Sequence, residues 1–300
     1  MKYAAFVYRE SANLGDYIQS LAAVQFLPKI DLYLDLNYLN EYQDQETVKM
    51  IFNGWFMHQP NHWPPPATIH PLFISFHISN FNRSEAVLAH PEMAFYYKQF
   101  APVGCRDYHT VELLRKIGVP TYFSGDIALT LPRRKGPRSE EIVFVDPLGR
   151  EKDGAFYFPG DKKFRRKFWE SIAPKEVLDK AIYVTHYDLH KEDHLARYHR
   201  AEELLQLYSR AKFVVTSRLH CALPCLAFGT PVLYIESGFS SGPRRETRYK
   251  GLLELMRSTT LKDLIKGKPE IDWDSPPKNP VDTSPLASSL RKTCLEFSQC

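Results

Sequence analysis

Residues Ala211–Ile235, AKFVVTSRLHCALPCLAFGTPVLYI, constrain this chain more than any other stretch. A β-branched run reads as a buried strand. The polar elbow Thr216-Ser217-Arg218-Leu219-His220 follows, then a short apolar helix, Gly229 as its stop, and a second strand. An Arg and a His thus stand between two elements that otherwise want burial. In an open α/β sheet, ligands bind beyond the carboxyl ends of the strands, which is where this elbow lies.

The rest of the chain repeats that strand-then-polar pattern. Tyr3–Tyr8 reads as a strand, Arg9–Asp16 as a loop, and Tyr17–Leu27 as a helix with Ile18, Leu21, Ala22 and Phe26 near one face. Asp16 is placed as the N-cap of that helix, and Gly15 suits turn chemistry as well as an anion at free helix amides. Pro71–Phe76 is a strand ending at His77, a candidate acid, base or phosphate ligand, or a structural histidine. Arg106 precedes a helix over Val111–Ile117, with Asp107 or Thr110 as cap; it suits a carboxylate or phosphate, or else an ion pair with Asp107. Trp55 and Trp63 border Pro64-Pro65-Pro66, either as a sugar-stacking wall or as core filling.

Leu131–Glu141, LPRRKGPRSEE, is the sharpest break in composition and reads as an interdomain linker. Beyond it, Ile142–Asp146 and Ala181–Thr185 are strands, the second ending at His186. His186, His190 and His194 would stack on one helix face, yet a strand-to-helix loop entering a solvated helix explains them better than zinc. Leu195–Ala211 is the most regular helical pattern, with Tyr198, Leu205 and Tyr208 on its apolar side. After the elbow, Glu236–Gly251 carries Arg244, Arg245, Arg248 and Lys250, either a solvated loop or a site for a nucleotide or lipid diphosphate. A last helix over Leu286–Phe297 closes the chain and is placed back on the first domain.

Length and charge narrow the classes. At 300 residues two modest domains fit, and a net charge of +4 suits an anionic small molecule or peripheral contact with an anionic membrane, not nucleic acid. Met1–Tyr8 meets Arg9-Glu10 too early for a secretory h-region, and five scattered cysteines without metal spacing point to a reducing compartment. The cytoplasm is expected.

Three segments together resemble the polysaccharide pyruvyl transferase family: VVTSRLHCALPCLAFGTPVLYI, the upstream VGCRDYHTVELLRKIGVP, and a first strand followed by Asn-Leu-Gly-Asp. The resemblance implies an α/β fold of two Rossmann-like domains, GT-B-like, residues 1–135 and 136–300, with the site in the interdomain cleft. It implies transfer of a carboxyethylidene group from phosphoenolpyruvate, as co-substrate, onto a sugar residue of a polysaccharide or its precursor, with ketal formation and phosphate release. No metal or other cofactor is implied, and the acceptor is open to nucleotide or lipid linkage. Arg218 and Arg106 would bind the dianion, with Ser217, Leu219, His186, Asn13, Arg244 and Arg245 as further substrate contacts. His220 would be the general acid, and His77, Asp16 and His186 are candidates for the acceptor base. Cys221 and Ile127 depart from residues usual in the family, and no catalytic role is carried onto Asp126. The competing functions are a GT-B glycosyltransferase with a nucleotide-sugar donor and a non-catalytic glycan-binding homologue.

Overall fold

Eleven strands among the described residues pair in parallel throughout, as expected of strands joined by crossovers and buried on both faces. The computed structural model describes residues 1–148, 168–187, 193–236 and 247–299. The first sheet contains β1 (Lys2–Val7), β2 (Leu32–Asp35), β3 (Val48–Phe56), β4 (Ile69–Ile78), β5 (Val103–Cys105) and β6 (Thr121–Phe123), in the order β2-β1-β3-β4-β5-β6. The second contains β7 (Ile142–Val145), β8 (Ile182–Val184), β9 (Phe213–Thr216), β10 (Val232–Glu236) and β11 (Ser258–Thr260), in the order β11-β10-β9-β7-β8. Counted from its own first strand, each sheet therefore runs 2-1-3-4-5, the first adding a sixth strand. This is the doubly wound order whose reversal point falls beside the first strand, not the 3-2-1-4-5-6 order of dinucleotide-binding domains.

The helices are α1 (Leu14–Val24), α2 (Ser84–Leu88), α3 (Ala94–Lys98), α4 (Tyr108–Lys116), α5 (Lys175–Lys180), α6 (His194–Arg210), α7 (Leu219–Phe228), α8 (Leu261–Ile265) and α9 (Ser284–Gln299). None among the described residues is long and apolar enough to cross a membrane. Strand alternation sorts the second sheet's side chains between two cores. Val143, Val145, Val214, Val232 and Tyr234 join the larger cluster, while Ile142, Phe144, Phe213, Val215, Leu233 and Ile235 face Trp169 and Trp273. The larger cluster also takes in Phe6, Phe52, Phe73 and Phe76 of the first sheet, so both sheets share apolar contacts through α1, α6 and α7.

One local reading is corrected, and two open alternatives are decided, for core filling at Trp63 and for a strand-to-helix loop at His186–His194. The first helix begins at Leu14, and Asn13, not Asp16, caps it: Asn13 Oδ1 accepts from the Gly15 amide at 3.1 Å. Trp63 belongs to no sugar wall, being buried among Phe52, Phe56, Phe76 and Tyr97. His186 follows β8 while His194 opens α6, so these two do not share a helix face; His190 lies outside the described residues. Among the described residues no group of His, Cys, Asp and Glu could hold a metal.

Candidate active site

The carboxyl ends of the first sheet's last strands bring four charged or titratable groups together in the dry interior. His77 is the last residue but one of β4, Arg106 and Asp107 follow β5, and Asp126 lies just beyond β6. All four are buried. Asp107 caps α4 through Oδ1, which accepts from the Thr110 amide at 2.9 Å, and its Oδ2 lies 2.6 Å from His77 Nδ1. A carboxylate only accepts, so Nδ1 carries the proton and Nε2 the lone pair. Burial pushes the His77 imidazole down to about 4, outweighing the pull of Asp107. Burial raises Asp107, but His77, Arg106 and the Thr110 amide outweigh it and hold the carboxyl below its usual range. The pair is therefore neutral imidazole against carboxylate.

Arg106 is the oddest group here. It is wholly buried, yet among the described residues none of its three guanidinium nitrogens has a hydrogen-bond partner. Its closest ionic neighbour is Asp107, with Nε 3.9 Å from Oδ2. A buried unpaired cation costs several kcal/mol, on the order of the stability of a whole domain. Such an arrangement suits an incoming anion able to take a planar fork of donors.

The elbow supplies the other half. Asp146 follows β7, and its Oδ2 accepts from Arg218 Nε at 2.8 Å and from the His186 amide at 3.0 Å. Burial raises the Asp146 carboxyl, but Arg218, His186 and Thr185 together hold it below its usual range. Arg218 Nη2 is buried without a partner among the described residues. Ser217 donates to the Asp146 carbonyl at 2.5 Å, so its hydroxyl holds the elbow to β7. Leu219 is core. His220 departs from helical backbone within α7, at φ −81° and ψ 15°. Pro224 explains it: the ring removes one amide and crowds the carbonyl four residues back, which belongs to His220. His220 Nε2 lies 3.5 Å from Asp126 Oδ2, and neither atom has a hydrogen-bond partner among the described residues.

Two glycines allow these parts to meet. A Cβ on Gly15 would lie 3.3 Å from both His186 Nδ1 and His220 Cβ, so α1 starts directly against the elbow. Leu14 donates to the His186 carbonyl at 2.8 Å, which fastens the first half to the second. Gly125 takes φ +71°, and a Cβ there would meet Leu286 of α9 at 2.6 Å. The positive φ strains any side chain at Gly125, and a Cβ there would require Leu286 to shift.

The sequence candidates thus separate. Arg106, His77, Arg218 and His220 line strand ends as expected. His186 is buried, pushed down to about 3 by desolvation, and its Nε2 meets the Tyr208 hydroxyl at 2.9 Å, which makes it a clamp rather than a free base. Both ends of the Asn13 amide are used locally, since Nδ2 donates to Asp16 Oδ1 at 3.2 Å. Asp16 Oδ2 accepts from the Ser11 hydroxyl at 2.6 Å, so its carboxylate closes its own loop. Arg244 and Arg245 lie outside the described residues. Trp55 stays half-buried beside His77 in strand register, with His58 against it and Arg248 over its ring at 5.6 Å. No role is carried onto Asp126 or Asp146 from the sequence; the signal each offers is a carboxylate at the end of a strand run.

Comparison with known proteins follows the same lines. No curated protein matches the chain. Among solved structures, an uncharacterised protein of Klebsiella pneumoniae is similar over 86% of this chain and 92% of its own, at 12% identity and a TM-score of 0.40. The family model described as polysaccharide pyruvyl transferase matches residues 13–238, a span that includes every group described above from Asn13 to His220.

Proposed function

The chain belongs to the polysaccharide pyruvyl transferase family, and on that premise we propose that it moves a carboxyethylidene group from phosphoenolpyruvate onto two hydroxyls of a sugar residue in a polysaccharide or its precursor. The observation that carries this reading is that, among the described residues, the buried guanidinium nitrogens of Arg106 and the buried Nη2 of Arg218 have no hydrogen-bond partner. Phosphoenolpyruvate offers two anionic groups, a carboxylate and a phosphate, each matched to a guanidinium fork. In this reading the two sheets act as GT-B-like domains, residues 1–135 and 136–300, and the substrate lies between their strand ends. The free thiols of Cys105, Cys221, Cys225 and Cys294 suit a reducing cytoplasm.

The chemistry then falls to the two histidines. His220 protonates the methylene carbon of the enol, leaving C2 electrophilic. A sugar hydroxyl adds to C2 and gives its proton to His77 Nε2, whose opposite nitrogen is held by Asp107. The C2–O bond to phosphate breaks, and the second hydroxyl closes the ketal. Of the two hydroxyl protons, one replaces the proton given to the new methyl group and the other leaves with phosphate. This balance calls for no metal or organic cofactor.

The test is phosphate release from phosphoenolpyruvate across a panel of sugar acceptors, free, nucleotide-linked and lipid-linked. Release that depends on acceptor is the expected result. No release with any acceptor, combined with hydrolysis of a nucleotide sugar, would replace this reading by a glycosyltransferase; thermal stabilisation by phosphoenolpyruvate without turnover would replace it by a binding homologue.

A further inference from the structure

We infer that Asp126 is the positioning residue for His220: its buried Oδ2 takes the Nε2 proton of the imidazole, so that Nδ1 carries the proton moved in catalysis. The inference rests on the reading of His220 as general acid. Its basis is geometric. Asp126 and His220 are buried, their facing atoms are 3.5 Å apart, and neither atom has a hydrogen-bond partner among the described residues. A small rotation satisfies both, and a carboxylate facing a ring nitrogen fixes the tautomer by accepting from it.

The two oxygens of Asp126 divide their work. Oδ1 accepts from the Ala128 amide at 2.9 Å and caps the short turn after β6, a local role that one oxygen fulfils. Oδ2 has nothing local to do. Burial raises the Asp126 carboxyl, but His220, Arg106 and the Ala128 amide outweigh it and keep it ionised. Among the described residues, His186 after β8 and the uncharged backbone of Gly15 at the start of α1 lie near His220, and Arg218 stands two residues before it on the elbow. Of these and Asp126, only Asp126 is negative.

Asp126→Asn separates the roles, because its carbonyl oxygen still caps the turn while an NH2 replaces Oδ2. The NH2 faces Nε2 as a donor and selects the wrong tautomer. The expected result is a kcat lower by about 100-fold or more, with phosphoenolpyruvate-induced stabilisation retained. By NMR, the nitrogen shifts of neutral His220 place the proton on Nε2 in the unsubstituted chain and on Nδ1 in the variant. An unchanged tautomer overturns the proposal whether or not the chain turns over phosphoenolpyruvate, so its failure is distinct from failure of the functional reading. Should the variant not fold, nitrogen shifts of the unsubstituted chain at high pH decide: a neutral His220 protonated at Nε2 upholds the pair, and the Nδ1 tautomer overturns it.

Discussion

Arg106 shows how one side chain can cost stability and carry function together. Its guanidinium sits at zero exposure and, among the described residues, only Asp107, at 3.9 Å, lies within ionic reach. A buried charge without hydrogen-bond partners costs several kcal/mol, a cost that an apolar side chain of similar length does not carry. Arg106→Met is therefore expected to keep or raise the denaturant midpoint while abolishing stabilisation by phosphoenolpyruvate. A loss of more than about 3 kcal/mol would show instead that Arg106 neutralises Asp107 and Asp126 in the empty site. Asp107 carries a related lesson. The sequence reads it as a helix cap or as an ion-pair partner, and the structure makes it the cap through one oxygen and the holder of His77 through the other. The cap was legible because it is local. The His77 contact spans 30 residues and was not.

At the scale of elements, α7 owes its first turn to Pro224. Without that ring, the amide at position 224 would bond the His220 carbonyl and draw residue 220 into regular helix. Pro224→Ala is expected to leave stability level or higher while lowering kcat about 10–100-fold, because the imidazole shifts away from its station. Equal kcat in the two chains would show that the kink does not aim His220. This element was legible almost residue for residue: β9, the Gly229 stop and β10 stand where the apolar runs and the glycine put them. The segment Val48–Phe56 was not. Lys49, Asn53 and Gly54 interrupt its apolar pattern, yet it forms the nine-residue strand β3. Lys49 Nζ reaches the Phe297 carbonyl at 2.9 Å, and Asn53 Nδ2 reaches the Gln19 carbonyl at 3.0 Å. Polar residues can enter a buried strand when partners come from elsewhere in the fold, and no local pattern announces those partners.

Across the whole molecule, the buried histidines set a pH dependence of folding. His77 and His186 are pushed down to about 4 and about 3 by burial, whereas an unfolded histidine titrates near ~6.5. Below that value the unfolded chain gains protons that the folded chain refuses. Their contribution is thus full above pH ~6.5 and declines as pH falls toward the folded values. Between pH 7 and pH 5.5 the two together should remove about 2–3 kcal/mol. Asp107, Asp126 and Asp146, all held below their usual range, add losses only below about pH 4. Equal denaturant midpoints at pH 7 and 5.5 would show that both rings accept protons without unfolding. The recurrence of one strand order in both sheets was legible only as a shared strand–helix style, since pairing order depends on contacts between distant segments. One long-range tie has a consequence for biosynthesis. Helix α9 returns to the first sheet, where Ser298 and Phe297 accept from Tyr3 and Lys49, and Arg291 donates to Thr130. Lys49 and its acceptor are 248 positions apart, so a ribosome adding about 5–20 residues per second emits the partner on the order of 10–50 s later. For that interval the nascent first sheet has an open flank and a lysine without its acceptor, a natural window for chaperone capture.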